Sequence, residues 1–404
     1  MNRVQKALAA VATGAALLAA APAAEATSGA LNTTFGISGL LTELIGSSTA
    51  GIQSAIQPNG DIVTAGAAIV NGTSEMLVQR ELPNGTLDPS FGAGGVAVFP
   101  IGKNAYADAI TLQTNGDIVV AGTGRSPVTG TLSLATVRLT PNGRLDATFG
   151  NNGIAVLPVG SNAVADSVAL LPNGQLIIGG TATTSTNHFV AARLNANGTL
   201  DTSYGTDGVT LLPPTAAAWG MALEPSGGVV LVGQETYNGT QVYMAAQLTP
   251  AGVADPSFGQ QGTVTIPLGT KAAAMAVALQ PNGDVVITGN SDIGVPTVRL
   301  NPDGTFDHSF GVGGIATLAG SGVNALTLQS NGDIVLAGAG PSAVRLTPSG
   351  AMDTTFGHRG ISFATVGVNG SANGVAITSG GAIVLTGATS LLGALHLVLA
   401  ELYS

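Results

Sequence analysis

The sequence predicts an all-β fold in which seven four-stranded antiparallel sheets surround one axis. Three observations predict it: one unit recurs seven times, each unit carries strand and turn signals, and the two ends of the chain complete each other. The composition agrees, because 45% hydrophobic residues and only 8% charged residues describe a chain that buries most faces of its strands. Such a composition also excludes a disordered protein.

Two sequence markers define the repeat, which has a length of about 54 residues. The first marker is a turn pair followed by a short apolar run that ends in Gly, as in residues 57–66. Its turn pairs end in Gly60, Gly116, Gly174, Gly227, Gly283, Gly332 and Gly381. The second marker is an aromatic residue followed by Gly, found at Phe35, Phe91, Phe149, Tyr204, Phe258, Phe310 and Phe356.

Each unit carries the signals of four short strands. In the second copy we expect strands over residues 105–112, 118–122, 132–139 and 153–158. An Asn-Gly pair between apolar runs predicts a tight hairpin with a type I′ turn, in which both central residues have positive φ. Strands that are apolar on both faces need neighbours on both sides, and radial stacking of the sheets supplies them.

The two ends of the chain fit each other across the repeat. Copy six runs on through residues 345–353, whereas the last copy stops at residues 401–404 and the missing part is found at residues 28–32. A repeat completed in this way predicts a closed ring, and seven four-stranded sheets in a ring form a seven-bladed β-propeller. A parallel solenoid is the main alternative, but it needs no tight hairpins.

Residues 1–26 have the pattern of a secretory signal peptide. Arg3 and Lys6 precede an apolar run over residues 7–21, and Ala24-Glu25-Ala26 forms a small-residue cleavage motif. We therefore expect cleavage after Ala26, secretion, and a single propeller domain over the rest of the chain, residues 27–404.

A second apolar stretch covers residues 381–400 and is long enough for a membrane helix. Gly393 and His396 interrupt it, no Lys or Arg follows Arg359, and the stretch fits the register of the repeat. We therefore expect no stable membrane insertion, and display on a membrane through this stretch is kept only as a third alternative.

Residue counts exclude several classes of function. A net charge of -10, from 12 Lys and Arg against 22 Asp and Glu, offers no positive surface for nucleic acid. The chain has no Cys, which excludes disulfides, thiolate metal sites and Cys nucleophiles. Its 4 His have no ligand spacing, and no phosphate loop or nucleophile elbow is present. We expect no cofactor, no resident metal and no catalytic residue of these types.

A recurring pair of opposite charges is the main pattern among the charged residues. An Arg recurs in the third strand, and an Asp recurs eight residues after it. The arginines are Arg80, Arg138, Arg193, Arg299 and Arg345, with Gln247 and Glu401 in copies four and seven. Because nearly every copy has the pair, it predicts an ion pair that holds the ring rather than a ligand-binding fork. The recurring aromatic residue likewise predicts a loop anchor packed between blades.

The unit resembles the delta-60 repeat of bacterial propellers. The resemblance rests on motifs such as residues 279–289 followed by residues 299–311, and it extends over residues 28–402. In that family a Lys commonly follows the turn pair, whereas here the position holds Asp61, Asp117, Gln175, Gly228, Asp284, Asp333 and Ala382. The resemblance implies an exported repeat protein and brings no established activity with it.

Residues that depart from the repeat are the candidates for ligand binding. Trp219 and Lys271 lie in comparable segments of adjacent copies, and we expect them to share one face. Asp108 and Asp166 occupy matching positions, and a ring could bring them together with the acids Glu224 and Asp292 at one mouth of its channel.

These observations predict a monomeric, secreted, non-catalytic module that binds a protein or glycan or serves a structural role at the cell surface. The alternative is an extracytoplasmic, glycan-directed hydrolase or lyase that uses carboxylates at the channel mouth. A pocket of carboxylates with raised pKa values is the observation that favours this alternative.

Overall fold

The computed structural model describes residues 27–214, 216–320, 322–340, 342–364 and 368–404. These residues form seven antiparallel sheets of four strands each, so the predicted seven-bladed β-propeller is confirmed. The predicted signal peptide, residues 1–26, lies outside the described residues.

The blades are numbered along the chain, and each is built from its inner strand outward. The first strand in chain order is β1 (Leu40–Glu43), which belongs to the last blade. Blade 1 consists of β2 (Thr49–Ile56), β3 (Ile62–Val70), β4 (Thr73–Glu81) and β5 (Val96–Phe99). Blade 2 consists of β6 (Tyr106–Leu112), β7 (Ile118–Arg125), β8 (Leu132–Leu139) and β9 (Ile154–Leu157). Blade 3 consists of β10 (Asn162–Leu170), β11 (Leu176–Thr183), β12 (Asn187–Leu194) and β13 (Val209–Pro214).

The remaining blades repeat this order. Blade 4 consists of β14 (Ala216–Leu223), β15 (Val229–Tyr237), β16 (Thr240–Leu248) and β17 (Thr263–Ile266). Blade 5 consists of β18 (Ala272–Leu279), β19 (Val285–Ser291), β20 (Val295–Leu300) and β21 (Ile315–Leu318). Blade 6 consists of β22 (Val323–Leu328), β23 (Ile334–Gly338), β24 (Ser342–Leu346) and β25 (Ile361–Phe363). Blade 7 consists of β26 (Val368–Ile377), β27 (Ile383–Leu391), β28 (Ala394–Leu402) and β1.

The ring is closed by the two ends of the chain, as predicted. Strand β1 pairs with β28, and Leu31 bridges Leu402 just before it. The backbone N–H of Tyr403 donates to the carbonyl of Ala30 at 2.9 Å. Inner strands contact their neighbours all the way round, including β26 with β2 across the closure. Every blade is therefore covered on both faces, which explains the continuous apolar strands.

The turns after the inner strands differ from the predicted type I′ geometry. Gly60 has a φ of 91°, but Asn59 is not among the residues with positive φ. The N–H of Gly60 donates to the carbonyl of Gln57, and the N–H of Gln57 donates to the carbonyl of Asp61. This pattern is a type I turn closed by a left-handed Gly, the longer hairpin form. True two-residue hairpins occur instead between the second and third strands of blades 1, 4 and 7, as at Asn71-Gly72, where both φ values are positive.

The recurring Arg, Asp and aromatic residues form one local structure, which we call the arginine cage. In blade 2, Arg138 donates through Nε to Asp146 at 2.7 Å, and its guanidinium carbon lies 4.8 Å from the centre of the Phe149 ring. Its Nη1 donates to the carbonyl of Ala196 in blade 3. The predicted ion pair and the predicted loop anchor are therefore confirmed, and each cage also fastens its blade to the next.

Five cages are found among the described residues. Their guanidinium groups are those of Arg80, Arg138, Arg193, Arg299 and Arg345. Each arginine side chain is at most 14% exposed and is paired with the Asp eight residues later. A desolvated charge is stable only when it is paired and hydrogen-bonded, and the cage supplies both.

The apolar stretch over residues 381–400 belongs to β27 and β28 of blade 7. Its residues pair in antiparallel register, from Ile383 with Leu402 to Leu391 with Ala394. Within the part of the chain that the structure describes, no helix has both the length and the hydropathy needed to cross a bilayer.

Candidate functional site

Each inner strand contains a β-bulge at the same place. In β6 the register shifts between Ala107 and Ala109, so Asp108 is the extra residue that the partner strand does not pair. The equivalent shifts leave one residue unpaired at this place in the inner strand of every blade. We call these seven residues the bulge ring: Ile52, Asp108, Asp166, Trp219, Met275, Asn324 and Asn373. Bulges redirect a side chain out of the plane of the sheet and are common at functional sites.

The bulge ring lines a cavity of about 340 Å³. All seven inner strands contribute to the wall, which places the cavity in the central channel of the propeller. Residues next to the ring, including Gln53 and Met221, complete the lining. A concave site of this size, lined by both polar and apolar groups, is suited to a small ligand or to one side chain of a larger one.

The ring changes in chemical character from blade to blade. Asp108 and Asp166 lie in adjacent blades, Trp219 follows in the next blade, and Met275 in the one after it. Asn324 and Asn373 lie on the other side, where their amides donate to backbone carbonyls of neighbouring blades at 3.0 and 2.9 Å. The two asparagines therefore join inner strands, whereas the acids and Trp219 form the distinctive side of the cavity.

The two carboxyl groups lie in a desolvated environment. Oδ2 of Asp108 is buried and has no hydrogen-bond partner among the described residues. Burial raises the pKa of Asp108 to about 7. Burial also raises the pKa of Asp166, and the nearby charge of Asp108 raises it further, to about 8. These are the expected effects of low solvation and of a like charge.

No cation offsets this pair within the described lining of the cavity. The lining contains no Lys, Arg or His, and its only titratable groups are the two Asp carboxyls. Tyr106 lies close enough for both carboxyls to raise the pKa of its hydroxyl, although burial is the larger cause. The channel therefore holds two carboxyl groups with raised pKa values, and its described lining contains no cationic side chain that could pair with them.

The structure brings together three of the four predicted ligand-binding residues. Asp108, Asp166 and Trp219 line one cavity. Lys271 lies outside the described lining of this cavity; it is exposed and precedes β18, where its N–H donates to Asp292 Oδ1 at 3.3 Å. It does not share the face of Trp219 because it precedes the inner strand of its blade, whereas Trp219 lies at the bulge.

The predicted meeting of four acids at one mouth is wrong. Glu224 lies at the turn after β14, where it accepts hydrogen bonds from Ser226 and Gln247. Asp292 lies at the turn between β19 and β20 and accepts the hydroxyl of Thr270 at 2.5 Å. Glu224 follows the inner strand of its blade, whereas Asp292 follows β19, which runs antiparallel to the inner strand. The two turns therefore lie on opposite faces of the propeller.

Sequence reasoning missed the other members of the bulge ring. Ile52, Met275, Asn324 and Asn373 were not identified as lining a common cavity. A signal was present, because every bulge residue lies five positions before the first residue of the following turn, as Asp108 does before Gln113. Alignment of the copies on that turn would have found the ring.

The described residues contain no group of three or more His, Asp or Glu side chains arranged to hold a metal ion. The chemistry that the ring offers consists of hydrogen bonding and charge from two carboxyls, an aromatic face, and amide groups. An aromatic face and carboxylates placed around one small cavity are means of recognition.

Comparison with known proteins agrees with the architecture. A family model described as "Domain of unknown function (DUF5122) beta-propeller" matches residues 57–91, 113–149, 171–204 and 280–310. Each matched segment begins near a turn after an inner strand and ends at or next to the aromatic residue of a cage position. No curated protein matches the chain.

The solved structures found by comparison have little sequence in common with this chain. One, titled "YCF48 bound to D1 peptide", has a TM-score of 0.49 and 12% identity, covering 94% of this chain and 98% of that chain. Another, a protein of unknown function from Bacteroides caccae, has a TM-score of 0.39 and 11% identity over 78% of this chain and 98% of its own. The family-model match and the geometry agree that this chain is a repeat-built β-propeller.

Proposed function

We propose that this protein is a secreted, non-catalytic binding module whose ligand, a group of a protein or glycan, enters the central channel and contacts the bulge ring. The observation that carries the proposal is the difference between the two sets of recurring positions. Within each arginine cage the Arg and the Asp neutralise each other. Asp108, Asp166 and Trp219 instead line a cavity whose described lining contains no cationic side chain.

The remaining chemistry of the chain supports recognition rather than turnover. Five of the acids form ion pairs with the arginines of the cages, namely Asp88, Asp146, Asp201, Asp307 and Asp353. A buried polar group without a hydrogen-bond partner costs free energy, and a ligand that bonds to it removes that cost. Unpaired polar groups in a cavity therefore favour binding. Secretion rests on the signal-like residues 1–26, and the delta-60 resemblance is the finer family assignment that we propose.

A binding screen tests this proposal. Protein comprising residues 27–404 would be applied to a glycan array and to a library of extracellular proteins. A variant carrying Asp108→Asn and Asp166→Asn would be screened in parallel. We expect at least one ligand whose binding falls about tenfold or more in the variant. A ligand set that is identical for both proteins would contradict a role for the channel.

The matched control is Asp207→Asn. Asp207 is exposed in a turn with a φ of 51°, and Asn152 holds the equivalent position in blade 2 with a φ of 52°. The control makes the same chemical change once without altering the channel. We expect its ligand set to be that of the unmodified protein.

One observation favours a second function, the glycan-directed hydrolase or lyase. Two carboxyls with pKa values of about 7 and about 8 are able to exchange protons at neutral pH. In this role one carboxyl would donate a proton to the leaving group while the other acted as base or nucleophile. Turnover of a glycoside by residues 27–404 that Asp108→Asn or Asp166→Asn abolishes would establish this function in place of the first.

A further inference from the structure

We propose that the channel site recognises a guanidinium group, held between the carboxylates of Asp108 and Asp166 and stacked against Trp219. This inference rests on the proposed binding function and names the chemical class of its ligand. The group could be presented by an arginine side chain of a protein or by a free guanidino compound, since both offer the same planar cation.

The cavity is acidic. Two acids face it, and its described lining contains no Lys, Arg or His. Oδ2 of Asp108 is buried and has no hydrogen-bond partner among the described residues. Its desolvation therefore costs free energy that no hydrogen bond offsets. A cation with several N–H donors is the ligand that removes this cost, because it supplies both charge and hydrogen bonds.

The cavity also has an aromatic face. Trp219 is half-buried and lines the same cavity, in the blade next to that of Asp166. Trp is the strongest cation-binding aromatic side chain. A guanidinium is planar and weakly hydrated, so it can stack on a ring while its edges bond to carboxylates. An ammonium group has a compact, strongly hydrated charge and fits this combination less well.

The arginine cages of this chain already bind guanidinium groups in this way. In blade 1 the guanidinium carbon of Arg80 lies 4.9 Å from the centre of the Phe91 ring, and Nη2 lies 2.6 Å from Asp88 Oδ2. Asp, an aromatic ring and a backbone carbonyl enclose the cation there. The bulge ring offers carboxylates and an aromatic ring without a cation from the described lining.

Protons are linked to this binding. The carboxyls must be ionised to pair with a cation, and burial holds the pKa of Asp108 at about 7 and that of Asp166 at about 8. The groups facing them are uncharged at neutral pH, namely Gln53, Trp219 and, beside the pair, Tyr106. A bound guanidinium lowers both pKa values, so binding releases protons and becomes tighter as the pH rises from 6 to 9.

The experiment uses Trp219 as its reporter, because it is the single Trp of the chain. Residues 27–404 would be titrated at pH 8 with agmatine, and separately with the peptide acetyl-Gly-Arg-Gly-amide. Peptides with citrulline or Lys in place of Arg serve as ligand controls, at matched ionic strength. We expect a saturable change in Trp219 emission with the guanidinium probes and none with the citrulline peptide.

Calorimetry in buffers of different ionisation enthalpy measures the released protons and also covers variants that lack the reporter. We expect Asp108→Asn with Asp166→Asn to weaken binding about tenfold or more, and Trp219→Leu to weaken it about fivefold. Asp207→Asn should leave the affinity unchanged. A difference between agmatine and the Arg peptide identifies whether a free compound or a protein side chain is the better source.

Four outcomes overturn the inference. They are no response to either guanidinium probe, equal responses to the Arg and citrulline peptides, an affinity that is independent of the two carboxyls, and an affinity that falls as the pH rises. If such a result is found while the binding screen still yields a ligand that depends on Asp108 and Asp166, the guanidinium assignment is wrong and the binding function stands. If the screen also yields none, both are wrong.

Discussion

The arginine cages and the bulge ring are two sets of equivalent positions in one propeller, and the repeat treats them differently. Among the described residues, five cages place the same three side-chain types in almost the same geometry, with guanidinium-to-ring distances between 4.7 and 4.9 Å. The bulge ring places five different residue types around one cavity. Positions that hold blades together are constrained to repeat, whereas positions that face the channel are free to differ. A ligand site is expected among the second set.

The first prediction concerns a cage and has the largest expected effect. Arg138→Ala removes the ion pair with Asp146, the stack on Phe149 and the bond to the carbonyl of Ala196. It also leaves a partly buried carboxylate unpaired, so we expect the free energy of unfolding to fall by about 3 kcal/mol or more. Urea unfolding followed by circular dichroism measures it.

The control for this change is Arg144→Ala. Arg144 is exposed in the turn that follows β8 and has no ion pair among the described contacts. Its loss should change the free energy of unfolding by about 0.5 kcal/mol or less. Equal effects of Arg138→Ala and Arg144→Ala would show that the cages do not hold the ring.

The second prediction concerns a glycine that faces the aromatic residue of the preceding blade. A Cβ at Gly143, where φ is 79°, would lie 2.8 Å from the Phe91 ring, whereas a Cβ at Gly130, where φ is 72°, would meet nothing within 4 Å. Both Ala variants bear the strain of a left-handed conformation, about 1 kcal/mol. We expect Gly143→Ala to cost about 2 kcal/mol more, from overpacking.

Thermal unfolding of Gly143→Ala and Gly130→Ala in the same buffer measures the difference. The comparison isolates the fit between adjacent blades, because the backbone strain is nearly the same in both variants. Indistinguishable midpoints would mean that the contact between Gly143 and Phe91 does not fasten the blades.

The third prediction is a dependence of stability on pH that arises from buried acids outside the cages. Asp108 and Asp166 have raised pKa values, and so does Glu81, whose fully buried carboxyl has a pKa of about 8. Unfolding returns these groups to their usual pKa near 4, so the unfolded state binds fewer protons between pH 4 and pH 8. The free energy of unfolding therefore falls as the pH rises through this window.

We expect a fall of about 2 kcal/mol or more between pH 4.5 and pH 8. Asp108→Asn with Asp166→Asn should reduce it, and addition of Glu81→Gln should reduce it further. The cages act in the opposite direction at low pH: hydrogen bonds from Ser203 and pairing with Arg193 hold the pKa of Asp201 at about 2, so this stabilisation is lost below pH 4. Urea titrations across the range would contradict the account if the triple variant kept the full slope.

The fourth prediction concerns the ring and has the smallest expected effect. Met275→Asn places at the bulge of blade 5 the residue type that blades 6 and 7 already have there. Because this position faces the channel, we expect a change of about 1 kcal/mol or less in the free energy of unfolding. A loss as large as that of Arg138→Ala would remove the distinction between the two sets.

Much of the fold follows from the sequence because it depends on features that recur. The seven turn glycines, the spacing of the aromatic residues and the complementary ends of the chain predict the number of blades, their strands and the closure. The strands expected in blade 2 differ from β6, β7, β8 and β9 by at most three residues at either end. The turn type was wrong because an Asn-Gly pair with Pro, Thr or Ser before it also fits a longer hairpin closed by one Gly.

The site was predicted only in part, because a β-bulge leaves no composition signal of its own. Asp108, Asp166 and Trp219 stood out by residue type, but nothing marked Ile52 or Met275 as their neighbours. Lys271 was misplaced because a residue at the start of an inner strand and a residue at its bulge look alike in an Ala-rich segment. The position of a residue in its inner strand sets its depth along the channel. In the sequence this position becomes clear only when the copies are aligned on their turns.

The central claim is that the channel holds two desolvated carboxyls that lack a cationic partner in the described lining. Carbon-13 NMR titration of the Asp side-chain carboxyls, assigned with Asp108→Asn and Asp166→Asn, tests it most directly. The account predicts two apparent pKa values near 7 and 8, both of which fall when agmatine is added. Titration of every Asp carboxyl below about pH 5 would contradict it.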